Sequence, residues 1–192
     1  MRLWETLDVR ELLSVGNRLR VALERVRLPD GRVIDDYLQL TTPSFVVIVA
    51  QRPDGRLLCE RQYKHGPRKI VLTLPAGTID PGEEPFSTAK RELLEETGYV
   101  SDEWQPLSNR IMYANAGGGV TYAFLARGCR KVAEPNSGDL EEIVIELKTP
   151  DELMRACLAG EMPLVSDAAA LLPALLAIGT LAESPTALAS RA

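Results

Sequence analysis

The run Pro85 to Gly98, PFSTAKRELLEETG, can settle into little except a helix, and the rest of the chain must give that helix a seat. Pro85 suits the first helical position, where a missing N–H costs nothing, and Gly98 suits the left-handed stop after the last turn. Between them Phe86, Ala89 and Leu93 recur at three- and four-residue spacing and form one apolar stripe. The same short helix carries Glu92, Glu95 and Glu96, with Arg91 directly before them. Steps of three, four and one place these carboxylates on one side.

Like charges at that spacing repel by roughly 0.2–0.5 kcal/mol per pair, so a solvated face can tolerate them. Alternatively, Glu92 and Glu96 share a hard divalent cation, Mg2+ or Mn2+, while Arg91 holds Glu95 in place. Spacing alone leaves both readings open.

The flanks supply the sheet. Around RLPDGRV the runs RVALERV and VIDDYLQL partly alternate, and Pro29, Asp30 and Gly31 predict a hairpin. At RPDGR the β-branched run 45–50 is expected to pair with a strand over 56–63. KIVLTL reads as a further strand, RIMYANAGGGVTYAFLARG as two strands around a glycine-rich loop, and EEIVIEL as another. Thr149 and Glu152 make a capping box around Pro150, with Leu153, Met154, Cys157 and Leu158 expected inward. An apolar helix is expected near 167–182, as core or subunit interface. Strands first, one helix inside and helices last predict an α+β fold.

Composition narrows the functions. With 45% hydrophobic and 26% charged residues the chain has the balance of a folded soluble protein. A net charge of -5 argues against a nucleic-acid surface. Cys59, Cys129 and Cys157 form no CxxC pair, which suggests idle thiols in a reducing compartment. The charged start MRLWETLDVRELL lacks a signal-peptide core, and the apolar run 168–182 is too short to span a bilayer and contains Pro173. A cytoplasmic protein without membrane contact is expected.

The stretch also fits a longer pattern without a gap: Gly77, five residues, Glu83, seven residues, then Arg91-Glu92-Leu93-x-Glu95-Glu96-x-Gly98-Tyr99. Chance supplies such a match in on the order of one in ten million chains of this length. It resembles the Nudix hydrolase family, with Tyr99 where an aliphatic residue is more usual. The resemblance implies an α/β/α sandwich with a mixed sheet and hydrolysis of a nucleoside diphosphate linked to another group, with divalent metal. It implies Glu92, Glu96 and the Ala76 carbonyl as metal ligands, Glu95 completing the site, Arg91 orienting it and Glu83 bracing the loop.

RQYK at 61–64, LPAG at 74–77 and GEMPLVSDAAALLPALL at 160–176 resemble the ADP-ribose pyrophosphatase branch. That branch implies an N-terminal hairpin extension over 1–42 that covers a neighbour's site in a homodimer, a catalytic domain over 43–183 and a flexible tail over 184–192. It implies cleavage of ADP-ribose to AMP and ribose 5-phosphate, the base being Glu141 or a hydroxide held by metal, with Asp139 and Glu142 beside Glu141. Arg61 and Lys64 are read as sharing a strand face toward the diphosphate, with Gly77 and the loop glycine Gly118 also near substrate. Departures are YANAGGG at 113–119, Lys64 where the branch has Arg, and Thr73 where it has Glu. A nucleoside triphosphate or dinucleotide hydrolase, and an idle nucleotide-binding module, are the alternatives.

Overall fold

The chain begins as an antiparallel meander of β1 (Glu5–Val15), β2 (Leu19–Arg27) and β3 (Val33–Thr41). A computed structural model describes it over residues 1–138 and 142–179. β4 (Phe45–Ala50), β5 (Leu57–Lys64), β6 (Lys69–Thr73) and β7 (Ala76–Thr78) lead to α1 (Pro85–Thr97). Then follow β8 (Tyr99–Val100), the long hairpin β9 (Glu103–Tyr113) and β10 (Gly117–Arg127), β11 (Arg130–Lys131), β12 (Ile143–Lys148), α2 (Pro150–Leu158) and α3 (Val165–Ala177). The larger sheet runs β1-β2-β3-β10-β4-β7 with β9 on β10, a smaller one runs β12-β5-β6, and β8 pairs with β11. β10 lies parallel to β4 and antiparallel to β9, so the sheet is mixed.

β4 explains the layering. Val47 and Val49 point into one core with Leu171 and Leu175 of α3, whereas Val46 and Ile48 point into another with Ala89 and Leu93 of α1. A strand covered on both faces needs an unbroken apolar run, and 45–50 supplies one. Helices on either side of a mixed sheet give the expected sandwich. No helix among the described residues is long and apolar enough to cross a membrane.

Several details differ from the sequence reading. β1 was not foreseen; its two register shifts against β2 break the alternation by which a strand is recognised. β5 is not the partner of β4. Apart from a single bridge, Gln51 to Leu57, the chain leaves one sheet there and enters the other, where β5 pairs with β6 and β12. Turn residues fix the local reversal, but the pairing beyond it is set by long-range packing. In α2 the capping box forms, with Glu152 N–H donating to Thr149 Oγ1 at 3.2 Å and Thr149 N–H to Glu152 Oε2 at 2.8 Å. Leu158, however, is 80% exposed, while Ala156 is buried with Leu153. Five residues beyond Leu153, Leu158 is turned by about 140° from it.

Gly98 closes α1 with φ 75°, its N–H donating to Leu94 O at 2.8 Å. A Cβ there would sit 2.1 Å from Ala133 O, because the backbone of 132–133 folds onto this turn. Gly98→Ala is expected to cost about 2–4 kcal/mol, from the left-handed backbone and the overlap together. A urea midpoint equal to wild type would contradict this seating of the helix.

Candidate active site

β7 runs antiparallel to β4, pairing Ala76 with Val47 and Gly77 with Val46, and this lays the 76–78 backbone against α1. The contact is close. A Cβ on Gly77 would sit 1.9 Å from the Glu92 carboxyl carbon, so Glu92 occupies the space that glycine leaves. One turn on, Glu96 is 4% exposed and its Oε2 accepts the Ala76 N–H at 2.8 Å. A cleft of about 380 Å3 opens here, and Glu92, Glu95, Glu96, Asp80, Lys64 and Ser137 are among its walls.

Arg91 organises the acids. Its Nη1 donates to Glu92 Oε1 at 2.7 Å and to Glu95 Oε2 at 3.0 Å. Its Nε and Nη2 grip Glu83 in a two-bond fork at 3.1 and 2.9 Å. The fork ties the loop before the helix to the helix itself, and it aims two carboxylates that would otherwise repel. The Arg91 guanidinium pulls the Glu83 carboxyl down to about 2, and Glu83, ahead of its other acidic partners, holds Arg91 charged. Since the folded pKa lies below the ordinary 4.5, this tie stabilises fully above that pH and fades as pH falls toward 2. Glu83→Gln should therefore lower the Tm by roughly 2–4 °C at pH 7, for about 1 kcal/mol, and by much less at pH 3. An equal loss at both pH values would show that the charge of Glu83 is not the source of the stabilisation.

These groups suit a hard cation. The carboxylates of Glu92, Glu95 and Glu96 and the carbonyl of Ala76 are all oxygen donors, and no thiol or imidazole lines the cleft among the described residues. Among those residues, no three acidic, histidine or cysteine side chains already surround one point; the Arg91 guanidinium sits between Glu92 and Glu95 as their counter-charge.

Other expected residues divide. Lys64 lines the cleft beside Gly77. Arg61 does not share its face: it donates to both oxygens of Glu146 on β12 and lies 3.8 Å from Glu161. Residues three apart on a strand point to opposite faces, so the reading of Arg61 with Lys64 is corrected. The Glu146 carboxyl, pulled down to about 2 by Arg61, keeps that pair charged. On the Lys64 face stand Glu60 and Gln62, both buried. Glu60 is the register partner of Thr73, so a carboxylate still occupies this spot in the sheet, carried by the opposite strand.

Gly118 lies apart from the acids, against Tyr113 and Met112, and the loop is tight for a packing reason. A Cβ on Gly119 would sit 2.1 Å from Pro43 O. Glu141 and Asp139 lie outside the described residues, as does the tail over 184–192. Ser137, four positions before Glu141, lines the cleft, and Asn136 N–H donates to Glu95 O at 2.7 Å. Sequence reasoning missed Gln62 and Asp167, which line a chamber next to the cleft. Counting by two back from Lys64 would have found Gln62.

A carboxylate helix seated on a glycine strand and organised by one arginine offers oxygen donors suited to a hard cation, beside a lysine suited to a phosphorylated group. The sequence model described as the NUDIX domain matches residues 40–168, more than half of the chain, and the chain belongs to the Nudix family as a Nudix pyrophosphatase. It is 26% identical over 161 residues to the ADP-ribose pyrophosphatase of Bacillus subtilis, covering 84% of this chain and 83% of the relative. It is 28% identical over 153 residues to the methanol dehydrogenase activator of Bacillus methanolicus, covering 79% and 81%. A crystal structure described as ADP compounds hydrolase superposes with a TM-score of 0.79 over 93% of this chain and 97% of the other, at 20% identity, a likeness of fold.

Proposed function

We propose that this chain hydrolyses the diphosphate of a nucleoside diphosphate sugar, ADP-ribose above others, releasing AMP and ribose 5-phosphate. The observation that carries the reading is the cleft itself, whose walls bring the acids gathered by Arg91 together with Lys64 and the Gly77 backbone. The relative named ADP-ribose pyrophosphatase, aligned over most of both chains, supports the choice of substrate.

Glu92, Glu95, Glu96 and the Ala76 carbonyl would hold the metal, Mg2+ with Mn2+ as a substitute, and Glu141 would join them or act as the base. When bound, such an ion neutralises diphosphate charge and makes water acidic enough to attack phosphorus at neutral pH. Lys64 meets the diphosphate as a point charge, without the bidentate fork of arginine. Arg91 keeps Glu92 and Glu95 together at the cleft through hydrogen bonds made before substrate arrives, and their carboxylates would still have to converge to share an ion. The Ala76 N–H likewise holds Glu96 at the cleft.

We further propose a homodimer in which the 1–42 extension covers the partner's cleft. The extension presents Trp4, Val9, Leu13 and Leu38 to solvent, each more than 40% exposed, and Trp4 packs edge-on against Tyr37. Light scattering should give twice the 21.1 kDa chain mass at micromolar concentration. A cytoplasmic location fits Cys59 and Cys129, buried thiols that burial pushes up to about 12, where they are unreactive.

Ranking kcat/KM over ADP-ribose, sugar nucleotides, dinucleotides and nucleoside triphosphates tests the substrate class. ADP-ribose should lead. A clear preference for nucleoside triphosphates would overturn the class, and no turnover of any would favour a nucleotide-binding module.

A further inference from the structure

Beside the cleft lies a smaller chamber of about 260 Å3, and Lys64 and Ala76 are walls of both. Gln62 of β5 and Asp167 of α3 line the chamber; Asp167 is 1% exposed and Gln62 4%. Each has one acceptor oxygen without a hydrogen-bond partner, Oδ2 of Asp167 and Oε1 of Gln62. Their other polar atoms are engaged. Gln62 Nε2 donates to Glu60 Oε2 at 3.0 Å and to Thr73 Oγ1 at 2.9 Å, and the Asp167 carboxyl accepts from the Leu74 N–H and the Ser166 hydroxyl. Folded proteins rarely leave such atoms unpaired, and two of them on one chamber mark a place for a ligand that brings donors.

The chemistry of that ligand is constrained. An ionised phosphate or carboxylate brings no donor for the Gln62 oxygen, and it would meet a like charge whenever Asp167 is ionised. A purely apolar group would leave both oxygens unpaired. Adjacent hydroxyls on a ring supply two O–H donors a short distance apart, and a hydroxyl donating to a carboxylate makes one of the stronger hydrogen bonds. The volume falls below the roughly 300–1,000 Å3 of sites for drug-sized ligands, so the chamber suits one sugar ring and not a whole nucleoside.

We infer that this chamber receives the terminal sugar of the nucleoside diphosphate sugar, with Asp167 and Gln62 accepting hydrogen bonds from its hydroxyls while the diphosphate lies in the adjoining cleft. The inference rests on the function proposed above and names the residues that select the sugar. Burial pushes the Asp167 carboxyl up to about 7, against the Leu74 N–H, the Ser166 hydroxyl and the Lys64 charge, and a donated hydroxyl would return it toward the charged form.

The test uses the intact protein with Mg2+. It compares kcat/KM for ADP-ribose with that for analogues deoxygenated singly on the terminal ribose, and with one deoxygenated on the adenosine ribose. Wild type should lose about 100-fold or more on at least one terminal-deoxy analogue. Asp167→Asn should lose about 10- to 100-fold on ADP-ribose and discriminate far less between it and that analogue. Equal use of all the analogues by wild type, or a loss that follows the adenosine hydroxyl instead, would overturn the assignment, and neither result depends on the variant folding. Absence of ADP-ribose turnover by wild type would contradict the parent reading and remove this one with it. Turnover without discrimination at the terminal sugar would contradict this inference alone.

Discussion

Glu92→Gln and Glu96→Gln are each expected to lower kcat/KM by about 100- to 1,000-fold, corresponding to several kcal/mol of lost transition-state stabilisation. A neutral amide keeps the shape of the side chain but is a poor ligand for a hard cation. The fold should survive both changes. At position 96 the amide oxygen can still accept the Ala76 N–H, and at position 92 the substitution removes a carboxylate from a crowded cluster. Unfolding midpoints near that of wild type, with activity lost, are the expected pattern. Wild-type turnover in both variants would show that these carboxylates hold no metal.

Gly77→Ala should separate activity from stability in the same way by a different physical route. The new methyl would coincide with the Glu92 carboxyl, 1.9 Å from its carbon and 2.0 Å from Oε1. That carboxyl is the far end of a flexible side chain, so it can swing away at small cost to the fold. Its displacement breaks the 2.7 Å contact with Arg91 and removes a donor from the cleft. A misplacement of about 1 Å in such a site costs on the order of 100-fold in rate. We therefore expect kcat/KM to fall by about that factor while the unfolding free energy from urea titration changes by less than about 1 kcal/mol. A stable variant with full activity would mean that Glu92 does not work from where it lies.

What could be read from sequence was local. Pro85 and Gly98 bound α1 as expected, and Thr149 with Glu152 capped α2, because those signals act within a turn of the helix they begin or end. The cluster of Glu83, Arg91, Glu92 and Glu95 was legible too, since one helix and the loop before it carry all four. What escaped depended on partners distant in sequence. β5 reverses direction at Asp54 and Gly55 as a hairpin would, yet its ladder partners are 69–73 and 143–148. Asp167 sits within an apolar stretch that predicts a greasy helix; only the folding of α3 toward Leu74 turns that acid into the wall of a polar chamber. Arg61 was misread for a simpler reason, a count of three taken as a count of two along a strand.

The most direct measurement is product identification after incubating purified protein with ADP-ribose, with Mg2+ and again with excess chelator. AMP and ribose 5-phosphate in equal amounts, appearing only with the metal, are the expected result. Folded protein that releases neither product with Mg2+ or Mn2+, or releases both undiminished in chelator, would contradict a metal-dependent diphosphate hydrolase.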